Sequence, residues 1–349
     1  MIVKESLFTN TWNKYLEYFP EEYRDIYFTE EYTRLYEDEG GKPECFIYKD
    51  GDNIFLLPYI KRKIGLLDGD YFDFETAYGY GGPLVISRNS QFVSEAFNNF
   101  YLQAKENKIV AGFIRFHPLL NNYMLLMNEC RVVFNRKTIA MNLELKKDKI
   151  WSEQIHFKHR NKINIAQRNG LLYYVDEKLQ YLDIFKDLYI SKMSKLKADK
   201  FYFFKEDYFN NIKKNLGKNT FLGLVFLSDK IIAAALFFKY ANFGHYHLSG
   251  SSEDYMKYRP NNFLIYKTAL YLKEKGTKLF HLGGGNSSSL DDSLYKFKER
   301  FSKDKYSFYI GEVIIDQHLY KEVCGIWEEK FPKIKERYKA LLLKYRYSN

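Results

Sequence analysis

The sequence predicts an α/β (α+β) protein of two domains, and three observations carry that expectation. The chain has 349 residues, more than one hydrophobic core ordinarily serves. Segments of strand character alternate with segments of helical period along most of its length. The order hairpin, strand, helix, strand occurs twice, in element order only and without residue-level repetition. Mixed, mostly antiparallel sheets flanked by helices are therefore expected in each half.

The elements follow in chain order. Cys45–Tyr48 and Ile54–Ile60 flank an Asp-Gly turn and read as a hairpin. A strand at Tyr71–Phe74, the turn Tyr78–Pro83, a helix at Gln91–Asn107 and a strand at Gly112–His117 complete the first half. Trp151, Ile155, His159, Ile163 and Ala166 fall on one helical face, which predicts a helix within Lys146–Gly170 that opens the second domain. A second hairpin pairs Phe221–Leu227 with Ile231–Tyr240, and Phe243–Ser249 follows as a third strand. A helix over Phe263–Lys275, capped near Asn261 or Asn262 and stopped at Gly276, leads to a strand at Lys278–Leu282. A helix at Ser293–Phe301 and a strand at Tyr306–Val313 close the half, and Phe331–Tyr347 reads as a basic helix returning to the first domain. The expected domains are 1–145, completed by 316–349, and 146–315.

Composition narrows the function. The formal charge of +10 suits an anionic partner such as a nucleotide, a coenzyme, RNA or a membrane surface, although the lysines are dispersed. Three widely spaced cysteines argue against a disulfide framework, and no metal site is expected. The N-terminal residues lack a signal-peptide pattern, and no stretch reaches the length of a membrane span, so a cytoplasmic protein without membrane insertion is expected. The 32 tyrosines and 30 phenylalanines can build large cores and also line a cleft.

Four segments could carry chemistry. Ser249-Gly250 ends a strand, and Arg259 precedes a fresh helix start at Asn261 and Asn262, an arrangement suited to a phosphate. Gly283-Gly284-Gly285-Asn286 follows a buried-looking strand, where exposed N–H groups could meet a ligand or an oxyanion; a flexible loop is the alternative. Tyr78 and Tyr80 interleave with glycines and offer hydroxyls to a polar substrate; a tight aromatic turn is the alternative. His245, His247 and His281 are candidate bases near neutral pH, and alternation places the first two on one face; for each, a satisfied core histidine is the alternative.

Taken together, Tyr78–Leu84 (YGYGGPL), Ser152–Gly170, His245–Ser252 (HYHLSGSS), Gly276–Gly285 and Asp292–Phe301 (DSLYKFKERF) resemble the Fem-type transferases, tandem-domain members of the GNAT acyltransferase superfamily. The resemblance runs from about Tyr71 to Glu312. It implies two GNAT-like domains in tandem and transfer of an acyl group to an amine. It also implies that Lys298 helps bind the donor or stabilise the reacting carbonyl, and that Lys200 lies near the position where the bridge enzymes place a cation on the acceptor's diphosphate. His281-Leu282-Gly283-Gly284-Gly285 departs from the Asp-containing form of the bridge enzymes. With the YGYGGP turn, it looks more like the branch of surface-polysaccharide synthesis.

The resulting expectation is an N-acyltransferase moving an acyl group from acyl-CoA to a nucleotide-linked amino sugar, such as a dTDP-3-amino-3,6-dideoxyhexose, for O-antigen or capsule synthesis. His247 or His281 would relay the proton, with Lys298 in the catalytic set. Ser249, Gly250, Arg259, Asn261, Asn262 and Gly283 to Asn286 would hold the coenzyme. Tyr78, Tyr80, Arg160, Lys200 and Tyr202 would hold the sugar nucleotide. One alternative is an aminoacyl-tRNA-dependent transferase acting on a peptidoglycan precursor, with tRNA the less favoured donor. Another is a non-catalytic RNA- or nucleotide-binding protein.

Overall fold

The computed structural model describes residues 4–37, 40–87 and 89–348. In chain order its elements are β1 (Lys4–Thr9), α1 (Asn13–Leu16), α2 (Glu30–Arg34), β2 (Gly41–Asp50), β3 (Asn53–Lys63), β4 (Phe72–Glu75), β5 (Leu84–Ile86), α3 (Ser90–Glu106) and β6 (Ile109–Arg115). There follow β7 (Arg131–Asn142), α4 (Lys147–Lys149), α5 (Phe157–Arg168), β8 (Leu172–Asp176), α6 (Leu182–Lys195), α7 (Glu206–Asn215), β9 (Thr220–Leu227), β10 (Lys230–Tyr240) and β11 (Phe243–Ser251). The last are α8 (Pro260–Glu274), β12 (Leu279–Gly284), α9 (Ser293–Glu299), β13 (Lys305–Ile314), α10 (Gln317–Lys330) and α11 (Lys335–Tyr338).

The chain divides into two compact units. The first comprises residues 1–23, 27–135 and 307–349, and the second 24–26 and 136–306. The crossings fall at 135/136 and 306/307, earlier than the 145/146 and 315/316 read from the sequence, because each lies inside a long strand, β7 or β13. A strand carries no loop signal where it passes from one core to another.

In the first unit the sheet order is β1-β2-β3-β4-β6-β13, with β5 also on β3. Its pairs are antiparallel except β4 and β6, which are parallel and joined through α3. Such a pair needs a crossover, which α3 supplies. Phe92, Ala96, Phe97, Phe100 and Ala104 of α3 are buried against Phe46, Phe55, Tyr59 and Phe74 of the sheet. Phe92, Ala96, Phe100 and Ala104 recur every four residues, and Phe97 widens the same stripe.

The second unit has the order β7-β12-β11-β10-β9-β8. Again one pair is parallel, β11 with β12, and again a helix, α8, joins it. Phe263, Leu264, Ala269 and Leu272 of α8 enter a core with Ile139, Met141, Phe237 and Phe280. The helix stops as expected: Gly276 takes φ of 81°, and Thr277 N–H donates to the Leu272 carbonyl. The repeated strand–helix–strand order read from the sequence is thus a repeated parallel crossover. Within it the turn Tyr78–Pro83 corresponds in order to the loop before α8.

Three local readings are corrected. The helix expected across Lys146–Gly170 is interrupted: a π-helical turn spans Ile150–Gln154, Ile155 is extended, and His156 caps a new helix by accepting from Lys158 N–H. Arg160 holds that break, donating from Nη1 to the carbonyls of Trp151, Ser152 and Ile155. The cap of α8 is Arg259, in a left-handed conformation with φ of 62°, and Pro260 occupies the first helical position in place of an Asn261 or Asn262 cap. The tail Phe331–Tyr347 is no single helix. It is α11, a 3-10 turn at Lys344–Arg346 and an extended end.

That tail is anchored by charge. Asp73 on β4 is fully buried, and Arg346 donates to both its carboxylate oxygens and to the Lys63 and Arg62 carbonyls. Removing one partner of a buried ion pair strands the other. Arg346→Met is therefore expected to lower the unfolding free energy by about 3 kcal/mol in urea titrations, the low end of the range because the guanidinium is partly exposed.

Candidate functional site

In the second unit β11 and β12 pair only at Phe243–Leu279, Gly244–Phe280 and His245–His281. Beyond those residues each strand follows its other neighbour. Tyr246 to Ser251 continue along β10, and Gly283 and Gly284 continue along β7. A wedge opens between the two strands, bordered by backbone that takes no partner from across the gap.

Two bulges shape it. On β11, Leu248 lies opposite Leu236 and Tyr246 opposite Phe237, so His247 is the extra residue. Tyr246 and Ser249, three apart, thereby share one face of the sheet. His247 takes the other: its ring lies 4.6 Å from that of Phe238, the residue opposite His245. On β12 the register slips between His281 and Gly283, and Gly283 takes φ of 75°, a conformation glycine adopts without strain.

Lys298 of α9 bridges the wedge. Its Nζ donates to the Gly284 carbonyl at 2.7 Å on one border and lies 5.8 Å from the Tyr246 ring on the other. The side chain is buried, and desolvation together with the charges of Lys192 and Arg136 lowers its pKa to about 7, against a pull upward from Asp292. A lysine so placed exchanges a proton near neutrality.

Lys192 approaches from the opposite face. Gly250 packs directly on α6, where a Cβ would meet Leu188 backbone at 2.3 Å. From that helix Lys192 Nζ reaches Ser249 Oγ at 3.1 Å and the Ser249 carbonyl at 3.3 Å, and burial lowers its pKa. Burial raises the Tyr246 phenol to about 12, with the Ser249 side chain drawing it downward. Neither Lys192 nor Lys298 forms an ion pair among the described residues.

The glycine loop is held by the protein itself. Asp292 accepts from Asn286 N–H at 3.1 Å and Ser287 N–H at 3.2 Å with one oxygen, and from Leu294 and Tyr295 N–H with the other. It thus caps α9 and ties down the loop at once. Burial raises its pKa, but the amide donors outweigh that and the net direction is down. A Cβ on Gly285 would lie 2.4 Å from Asp292 Oδ1, and one on Gly284 2.9 Å from the Lys137 carbonyl. Close approach of the chain to itself therefore accounts for both glycines, and the Asn286 N–H is already donated. The glycines thus have a reason within the chain itself, beside the ligand approach expected from the sequence.

The histidines divide. His247 Nε2 is hydrogen-bonded to Tyr208 Oη at 2.6 Å, and burial plus the neighbouring His245 lowers its pKa to about 3, so it stays neutral near pH 7. It lies across the sheet from the Tyr246 ring and suits a proton relay poorly. His245 pairs with Asp25 at 2.7 Å, both buried, and His281 lies edge-on to His245 with ring centroids 5.7 Å apart. Asp25 comes from Arg24–Ile26, a short stretch of the second unit set within first-unit sequence; nothing in the sequence joins it to His245.

Arg259, an exposed residue, stands at the start of α8, and Asn261 Nδ2 donates to Ser251 Oγ. The Asn262 side chain is buried with no hydrogen-bond partner for Nδ2. Lys200 and Tyr202 are exposed. In the first unit, Tyr78 accepts at its carbonyl from Tyr32 Oη, and Tyr80 packs edge-on against Tyr27 and Phe308. Asn122 fixes that turn through the Gly81 and Pro83 carbonyls. Sequence reasoning missed Lys192, Tyr246 and Asp292. Asp292 stood immediately before an apolar-periodic run, an N-cap signal; Lys192 had none.

Comparison with known proteins fits this geometry. Residues 158–299 match the family described as acetyltransferase (GNAT) domain. Most of the second unit is therefore similar to a GNAT acetyltransferase domain. The solved structure of FemX has the same fold, with a TM-score of 0.72 at 14% identity over 92% of this chain and 99% of that one. A tandem GNAT protein from the clavulanic acid biosynthesis pathway aligns over 89% of this chain and 98% of its own at a TM-score of 0.50 and 9% identity. Among curated proteins, a UDP-N-acetylmuramoylpentapeptide-lysine N(6)-alanyltransferase of Weissella viridescens is 33% identical over 97 residues, 27% of this chain and 28% of that relative. The alignment thus spans little more than a quarter of the relative's length. Among the described residues no helix is long and apolar enough to cross a membrane.

The Lys298 environment has a consequence for stability. Burial lowers the amine's pKa from 10.5 in the unfolded chain to about 7 in the folded one. Between those values the unfolded chain binds the extra proton, so stability rises with pH by about 1.4 kcal/mol per unit from this group. Relative to Lys298→Met, the wild-type protein is expected to gain stability between about pH 7 and about pH 9 in urea titrations; parallel curves would contradict the assignment.

Proposed function

We propose that the chain is an N-acyltransferase that moves an aminoacyl group onto a lysine side-chain amine of a UDP-N-acetylmuramoyl-pentapeptide-type precursor. The observation that carries the reading is Lys298, a buried amine bridging the open wedge within the segment that matches the GNAT domain. The likeness to the alanyltransferase favours this acceptor over the nucleotide-linked amino sugar expected from the YGYGGP turn.

An acyl donor lying along the wedge would bring its carbonyl to Lys298. The acceptor amine attacks that carbon, a C–N bond forms, and the tetrahedral oxyanion develops against the Lys298 amine. Collapse breaks the ester bond of the donor, and the amine's proton leaves with the departing oxygen. Aminoacyl-tRNA is the proposed donor, and the charge of +10 suits a polyanion. Tyr78, Tyr80, Lys200 and Tyr202 are the proposed acceptor residues; Arg160, whose Nη1 is committed to carbonyls, is a weaker one.

A second reading keeps acyl-CoA as donor and an amino sugar as acceptor. It is favoured by the acetyltransferase description of residues 158–299 and by Arg259 at the start of the 15-residue α8. In that reading Ser249, Gly250, Asn261 and Asn262 would adjoin the coenzyme.

Incubating the protein with lysine-containing UDP-muramoyl-pentapeptide and alanyl-tRNA is expected to add alanine to the lysine side chain, read by mass spectrometry. Lys298→Met should lower the rate roughly 100-fold. Acyl transfer from acyl-CoA to a nucleotide-linked amino sugar, with none to the pentapeptide, would replace this reading by the second. An undiminished rate in Lys298→Met would remove Lys298 from either.

A further inference from the structure

The end of α9 that carries Lys298 is held from α5 by two hydrogen bonds. α9 stops at Glu299, and Phe301 N–H turns back to the Lys298 carbonyl at 2.9 Å, so the Phe297 carbonyl loses its helical donor. His159 Nε2 meets that carbonyl at 2.9 Å, and His156 N–H donates to the Arg300 carbonyl at 2.9 Å. A carbonyl only accepts, so Nε2 carries the ring hydrogen. The ring is fully buried, with its centroid 4.5 Å from that of Phe301 and 5.3 Å from that of Phe297. Its Nδ1 has no hydrogen-bond partner among the described residues. Burial, with the charges of Lys162, Arg300 and His156, outweighs the bond to Phe297 and lowers the His159 pKa to about 4, so the imidazole is neutral.

The break before α5 makes both bonds available. In an unbroken helix His156 N–H would face the Ser152 carbonyl; the π-helical turn and the extended Ile155 release it to Arg300. Three carbonyls lose their helical donors there, those of Trp151, Ser152 and Ile155, and Arg160 Nη1 meets them at 3.3, 3.0 and 2.7 Å. The interruption is therefore a built feature. At the other end of α9, Asp292 accepts from Leu294 and Tyr295 N–H. The short helix is fixed at both ends, with Lys298 in its last turn.

We infer that His159 is a positioning residue: by donating to Phe297 it fixes the turn from which Lys298 Nζ reaches the Gly284 carbonyl and the Tyr246 ring. Arg160 acts one step behind, holding the break that aims His159 at α9. The consequence for catalysis rests on the acyl-transfer reading; the clamp on Lys298 does not.

The test separates the donor from the ring. His159→Gln keeps an N–H at about the reach of Nε2 and removes the ring, whereas His159→Leu fills the space without a donor. The full chain is labelled with 13Cε-lysine, and the Lys298 resonance is identified by its loss in Lys298→Arg. Its titration midpoint is expected near pH 7 in the wild type. His159→Leu should raise that midpoint by about one unit, a tenfold change in proton affinity, as the end of α9 loosens and water reaches the amine. His159→Gln should leave it near the wild-type value. With alanyl-tRNA and the pentapeptide, His159→Leu should lower kcat roughly tenfold with little change in KM, and no further in a Lys298→Met background. An unmoved midpoint in His159→Leu would overturn the inference, as would a midpoint in His159→Gln as high as in Leu. Should His159→Leu not fold, the 15N spectrum of wild-type His159 decides: a neutral Nε2–H ring at pH 7 supports the clamp, and an Nδ1–H ring removes it. Midpoints that behave as expected without any turnover leave the clamp standing and sink the acyl-transfer reading.

Discussion

The second unit is organised by the short parallel pairing of β11 and β12. Three paired positions suffice to start the two strands side by side, and then each yields to an antiparallel neighbour, β10 or β7. Both neighbours hold their partners through bulges, one expelling His247 and one requiring Gly283. A sheet that parts in its middle leaves backbone without cross-strand partners, which is costly if buried and dry. Here the border residues are met by side chains entering the gap, Lys298 on Gly284 and Lys192 on Ser249.

Both lysines enter that gap with no acidic partner among the described residues. Burial lowers the proton affinity of both amines, and the charge of Lys192 adds to that effect at Lys298. The protein tolerates the arrangement because amines can shed protons where guanidinium groups cannot. A pair of arginines here would demand anions. Structural elements far from any chemistry usually avoid such frustration, and strongly perturbed groups concentrate at working sites.

Much of the fold was legible in the sequence, for physical reasons that can be named. Hairpins and the α8 stop follow from local turn chemistry, as at Asp50-Gly51 and Gly276, and the repeated order of elements marked two crossovers. The break at Ile150–Ile155 was not legible, because the apolar spacing around it continues unaltered while Arg160 gathers its carbonyls from a distance. Lys298 was reached through resemblance to a family, not through its own neighbours. Its partner Lys192 stands in a lysine-rich stretch where no spacing separates a buried amine from a solvated one. The glycine run was found, but the intrachain contacts behind it were not legible. Gly283 serves a bulge, and Gly284 and Gly285 admit Lys137 and Asp292. A run of glycines signals close approach without saying by what.

The central claim is that the wedge between β11 and β12 receives the acyl donor. Backbone amide hydrogen exchange, followed with and without a non-hydrolysable aminoacyl-adenosine analogue of the donor's end, tests it most directly. The account predicts slower exchange at residues 246–251 and 282–287, with the remaining strands of the second unit unchanged. Protection confined to other surfaces, with the borders of the wedge unaffected by saturating analogue, would contradict it.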